Sequence, residues 1–597
     1  MLAILLALAC DPGAVGGGGA SPTTTAGGGG TTPPTVPTVP TVPTTPTVPA
    51  CTTTLEGSAT IESQADVDAL AGICIVTGNL DFAAPGLDVA ALPDLTTVGG
   101  TLTISRNADL TVELPALTSA PEIRLEENIG TIMVNAGALP TLPRLLVWES
   151  DAATLHLGGL VSAGDLSFGA VDALELDVPV LAHVDSVVIP DDAVLVGWPF
   201  DAVVTAGGID YATAEVDPPL IRFPSLVSMT GTLEIRTGML AVCRTSVVDL
   251  PALVSGGGVT LGVCQLDARL PALEVLTGSL VVAYQTDVEG LDVPALREAH
   301  AIGIDYPFDH GLAVYEFPSL EVLHGQLGLW SGVSAPKLTT IEGDVVELDT
   351  FSYELSSDSL FVRTCDQLTV SLPALATLHG SAYIYDDDAS GGATCGVPAA
   401  LEIDLSSLTH ADDLLLVPQG ASIVDLGSLA TADYLTLSGP GAWSVPNLTT
   451  VTTSLTVGDV ALPALTTAHD VRVIGDAEMP ALATVTEILL VHYGSPHVSY
   501  PALTWAAGLS LQSDDTVDVS LPVLASIGPA PAFVPTGLYV TGSALLQSVD
   551  APALTSVDGP VTLTNNINWC DSDVAALQAQ FTTVTGVVTV SGNLPGC

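Results

Sequence analysis

Leu92-Pro93-Asp94-Leu95-Thr96-Thr97-Val98-Gly99-Gly100-Thr101-Leu102-Thr103-Ile104-Ser105 is one unit of a pattern that runs through most of the chain. It opens on a hydrophobic-Pro-x-Leu motif and closes on a strictly alternating segment, with two glycines between them. Alternation that includes β-branched residues reads as a strand with one buried face. Pro93 has no N–H for a central ladder, so it belongs at a corner, with Leu92 and Leu95 pointing inward. The glycines suit a second tight corner before the strand.

The motif occurs seventeen times between Pro93 and Pro552, with Pro115, Pro140, Pro179 and Pro251 among its prolines. Longer gaps hold degenerate copies such as Leu157-Gly158-Gly159-Leu160, Trp198-Pro199-Phe200, Leu405-Ser406-Ser407-Leu408 and Leu426-Gly427-Ser428-Leu429. One strand per period of about 21 residues means a solenoid, whose coils bury their faces only by stacking about 4.8 Å apart. The expected fold is therefore all-β: one elongated parallel β-solenoid over 51–597, of roughly two dozen coils. Open ends of a solenoid need covers. Ser63 to Leu70, with Ser63 and Asp66 in capping-box-like spacing, and Asp571 to Phe581, with Asp571 as cap, are read as short capping helices.

Over nearly all of 51–597 the chain resembles the receptor L-domain family, a right-handed β-helix related to leucine-rich repeats. The matching residues are Cys51, Ile61 to Asp66, Cys74 and Gly78-Asn79-Leu80 at the start, and Asn565-Asn566, Cys570, Val574 to Phe581 and Cys597 at the end. The resemblance implies a right-handed solenoid and a role in cell-surface recognition or wall organisation. Residues 1–10 resemble a bacterial lipoprotein signal, with the apolar run Leu2 to Leu8 and Ala7-Leu8-Ala9 before a lipidation residue, Cys10. Residues 11–50 are rich in Gly, Thr and Pro, a flexible to semi-rigid linker. Together they predict an exported protein, lipid-anchored to the bacterial cell envelope at the outer membrane or cell surface. The membrane is then met through the N-terminal lipid alone.

Nine cysteines less Cys10 leave eight, in four neighbouring pairs: Cys51/Cys74, Cys243/Cys264, Cys365/Cys395 and Cys570/Cys597. Members of a pair lie about one coil apart, and stacked coils bring Cα atoms within disulfide reach. Four disulfides are expected, which fits an oxidising compartment.

The chain carries 66 acidic and 11 basic side chains, a net charge of −55. That field argues against a nucleic-acid partner. A hydrophobic fraction of 48% and a mean hydropathy of +0.54 argue against disorder. Chemistry is harder to find. Asp386-Asp387-Asp388 is the best candidate for a Ca²⁺ site, since clustered carboxylates supply hard oxygen ligands. His300 and His324, on adjacent coils, are a candidate pair for metal binding or pH sensing. One lysine and scattered arginines speak against a polysaccharide lyase, and no Gly-x-Ser-x-Gly occurs. The expected function is non-catalytic: recognition, adhesion or scaffolding of an envelope or extracellular polymer or protein, with no cofactor beyond Ca²⁺. The alternative is a β-helix polysaccharide hydrolase using paired surface carboxylates.

Overall fold

Most hydrophobic-Pro-x-Leu motifs close a β-turn in which the leucine N–H donates to the carbonyl three residues back. Leu95 bonds Leu92 at 3.2 Å, Leu117 bonds Leu114 at 3.1 Å and Leu253 bonds Leu250 at 3.3 Å. Both apolar residues of each turn are buried, worth about 1.5–3 kcal/mol per side chain. The proline supplies the turn's φ and removes an N–H that would otherwise need a partner. Where proline is missing, that N–H is capped instead: Ser406 donates to Asp404 Oδ1 at 3.1 Å and Gly427 to Asp425 Oδ1 at 2.9 Å.

The computed structural model of the chain describes residues 53–597 apart from 214–219, 238–244, 264, 284–286, 305–313, 330–331, 343–357, 365–367, 387–400, 419, 492–495, 513–514 and 529–536. Residues Cys51–Cys597 form one unit, separate from Met1–Ala50. The unit is a parallel β-solenoid whose regular structure is nearly all strand, with two helices among the described residues. One sheet runs its whole length. One row of paired residues runs from Thr60, paired with Asp81, to Thr589, paired with Thr562, although several pairings shift register beside it. That outward row passes through 24 rungs at a mean step of 23 residues. Shorter parallel sheets of three to six strands line the side just before the turns, as in Leu401–Asp404 against Ser422–Asp425. The inward residues of all faces merge into one apolar core.

Three ladders hold the rungs together beyond the sheet. The residue after each motif leucine donates its N–H to the same position one coil back, as Thr118 does to Thr96, Val204 to Ala182 and Thr466 to Thr449. Where that residue is threonine its hydroxyl donates to the same carbonyl, in Thr118, Thr409, Thr449, Thr466 and Thr504 among others. At the far end of the main strand a second corner holds a left-handed residue, with φ of 59° at Arg106, 52° at Glu127, 48° at Glu149 and 48° at Ala170. The next residue turns inward as a buried polar ladder: Asn107, Asn128, Ser150. Asn128 Oδ1 accepts the Asn107 N–H at 3.1 Å and its Nδ2 donates to the Ile104 carbonyl at 2.9 Å. The device returns at Ser543, Asn566 and Asn593.

Four expectations are corrected, the second of them in part. Pro140 is not a motif proline: the turn is Ala136–Leu139, and Pro140 sits one place later, where it accepts from Val161 but cannot donate to the corner ladder. The glycines before the strand answer two demands: Gly380, Gly537 and Gly559 take positive φ, as a tight corner expects, while at others the coil beneath decides. A Cβ on Gly207, Gly231, Gly257 or Gly278 would overlap the carbonyl of the coil beneath. The first helix is Gln64–Ala69, and Asp66 reaches back to the Glu62 N–H and the Ser63 hydroxyl, so Ser63 does not complete a capping box. The second helix, Asp571–Gln580, is capped by the extended Cys570 rather than by Asp571. It also leaves the last rung uncovered: Val588 and Val590 are partly exposed, although Val561 and Leu563 beside them are buried. Among the described residues no helix is long and apolar enough to cross a membrane.

Candidate functional site

Cationic side chains are few, and the fold ties up the described arginines. Every arginine whose side chain is described lies against a carboxylate, as Arg106 on Glu127, Arg222 on Asp201, Arg236 on Asp210 and Glu234, and Arg297 on Glu274. Beyond Arg363, Arg472 is the one remaining Lys or Arg in the chain, and five of the ten histidines lie in this stretch. Histidine takes over the position facing carboxylate there: His379 and His410 face Asp412, His469 faces Glu487 and His497 faces Asp518.

The densest of these groups is built on three adjacent strands, Thr377–Asp386, His410–Val417 and Thr431–Leu437. Register sets His410 beside Thr431 and Ala411 beside Ala432, which brings Asp412 next to Asp433 on the outer surface. His410 Nδ1 lies 2.8 Å from Thr431 Oγ1, and its Nε2 lies 3.0 Å from Asp412 Oδ1. Asp412 Oδ2 accepts the Gly380 N–H at 3.1 Å, with His379 Nδ1 at 3.7 Å. Asp433 Oδ1 accepts from the Thr452 hydroxyl. One ligand atom each from His410, Asp412 and Asp433 lie within 4.8 Å of one another, all partly buried. These three residues could hold a metal ion. Sequence reading missed them, because Asp412 and Asp433 are brought together by strand register rather than by chain order.

Neighbouring carboxylates are pushed apart in acidity. Burial works to raise Asp412, but the Gly380 N–H, His410 and His379 outweigh it and hold the group below the usual carboxylate range. Burial raises Asp413 against its hydrogen bonds from Ser381 and Tyr383. His324 is different again. Its Nδ1 meets Glu342 at 2.8 Å and its Nε2 meets Glu298 at 3.0 Å, and these bonds hold the imidazole above its ordinary value. Both ring nitrogens being engaged, none is left for His300. The expected His300/His324 pair is therefore replaced by a clamp spanning three coils.

Of the other expected sites, Cys570 and Cys597 form a disulfide with Cα atoms 5.8 Å apart. Cys74 is disulfide-bonded, and its expected partner Cys51 lies outside the described residues, as do Cys243, Cys264, Cys365, Cys395 and Cys10. Asp386 ends the strand Thr377–Asp386, while Asp387 and Asp388 lie outside the described residues, so the Ca²⁺ expectation falls on chain that is not described. No protein-family profile, no curated protein and no solved structure matches the chain.

Proposed function

We propose that the chain is a non-catalytic bacterial cell-envelope lipoprotein, anchored through Cys10, that presents a receptor L-domain-like solenoid as a recognition or scaffold surface. One observation carries this reading: the outward row from Thr60 to Thr589 stays paired over 24 rungs, a single continuous face. Such a face suits an extended polymer or another protein better than a small molecule enclosed in a cavity. The described arginines being neutralised in place, the surplus acidity is left to meet a cationic partner.

The test is a binding screen of the full chain against envelope glycans and envelope proteins, run beside a polysaccharide cleavage assay. Binding without turnover, weakened by salt, is the expected result. Product release that disappears on substitution of a surface carboxylate would replace recognition with hydrolysis. Anchoring has its own test. Cys10→Ser should move the protein from the membrane fraction to the soluble one, and unchanged fractionation would overturn the lipid anchor.

A further inference from the structure

We propose that His410, Asp412 and Asp433 form a binding site for a divalent transition-metal ion. One imidazole nitrogen and two carboxylate oxygens are the ligand types that zinc, cobalt or manganese accept, whereas Ca²⁺ and Mg²⁺ favour all-oxygen surroundings. Ligand atoms that start within 4.8 Å of one another need only modest side-chain rotation to approach the roughly 3.3 Å separation of a tetrahedral site with bonds near 2.0–2.2 Å.

The supporting shell is already in place. The Thr431 hydroxyl beside Nδ1 orients the ring so that Nε2 faces Asp412. The Gly380 N–H holds the second oxygen of Asp412, and Thr452 holds Asp433. Each ligand is thus positioned from another rung, the kind of outer bonding that orients metal ligands elsewhere. His379 lies 3.7 Å from Asp412 Oδ2, close enough to join as a further ligand. No lysine or arginine occurs between Arg363 and Arg472 to neutralise the carboxylates from within the segment.

An internal comparison separates this site from a general surface device. His183 repeats the arrangement, with Nδ1 2.7 Å from Thr205 Oγ1 and Nε2 3.0 Å from Asp185 Oδ1. The residue next to Asp185 on the following rung is Gly207, so no second carboxylate arrives. Asp433 is what turns a His–Asp pair into a three-ligand set. This inference is independent of the recognition reading, and either can fail alone.

Co²⁺ is the probe, because its visible absorption reports ligand type and geometry. The full chain, stripped with chelator, is titrated with Co²⁺ in excess Mg²⁺, which occupies unspecific acidic positions. A saturable spectrum at one equivalent is expected. Asp433→Asn and His410→Gln should each weaken it at least about tenfold, and His183→Gln should leave it unchanged. Asp433→Asn removes charge and little volume, so it stays informative if the histidine variant folds poorly. Equal spectra in wild type and Asp433→Asn, or displacement of Co²⁺ by Mg²⁺, would overturn the proposal.

Discussion

Asn128 is buried, and its side-chain amide bonds backbone groups that the corner turns inward. The left-handed Glu127 before it turns the chain at this corner, where backbone groups of the preceding rung face inward. Oδ1 and Nδ2 of Asn128 satisfy one donor and one acceptor, the Asn107 N–H and the Ile104 carbonyl. Asn128→Ala strands both, at about 1–3 kcal/mol each. Because a long repeat array does not unfold as one unit, the local readout is the better one. Amide exchange between Leu102 and Asn107 should speed up by roughly 30-fold or more. Thr103→Ala, on the outward face of the same strand, serves as the control. Equal protection in the two variants would show that the ladder carries no stability. Asp404 and Asp425 make the same kind of argument on a smaller scale, each standing in for a missing proline.

Coils are coupled by side-chain clamps as well as by the sheet, and the clamp at His324 links three coils through a raised imidazole. Glu298 lies one coil before it and Glu342 one coil after. Their hydrogen bonds raise the imidazole above the unfolded value of 6.5. A group raised on folding gives its full stabilisation below the unfolded value and loses it as pH climbs through the folded one. Wild type should therefore be more heat-stable than His324→Gln at about pH 6, with the difference shrinking towards zero by about pH 9. The ring is 40% exposed, so solvent screening keeps the effect small. A difference that grows with pH would have the wrong sign and would reject the clamp. At the carboxyl-terminal end, the Cys570–Cys597 bridge closes a 27-residue separation around the helix Asp571–Gln580. It pins a rung that lacks a covering coil.

A net charge of −55, all but that of Asp11 carried by the solenoid, repels itself. Arginine offsets part of this in the first two thirds of the chain, but Arg472 is the one arginine past residue 363. Screening should help. Raising NaCl from ~0.02 M to ~0.5 M shortens the screening length from over 20 Å to about 4 Å. The temperature at which half of the β-sheet circular-dichroism signal is lost should rise across that range. A fall, or no change, would mean that close local pairs such as Arg236 with Asp210 outweigh the long-range field. The same titration bears on recognition, since salt that stabilises the fold should weaken any cationic partner.

The sequence by itself determined the repeat, the solenoid class, the inward leucines and the Cys570–Cys597 pairing. Each depends on spacing along the chain, and a solenoid turns spacing directly into stacking. Pro140 marks the limit of that reading: a proline beside a leucine looks like the motif, and only the backbone shows the turn three residues earlier. The asparagine ladder was legible in part, since Asn565-Asn566 stands out, but its purpose lies in carbonyls on neighbouring rungs. The glycine columns likewise needed the close approach of successive coils to be explained. Asp412 and Asp433 were invisible as a pair, 21 residues apart in a chain with 66 acids. Their meeting depends on which residues face each other across coils of unequal length, and register is decided by inserts, bulges and corner packing together. That is a property of the stacked structure, and no single repeat contains it.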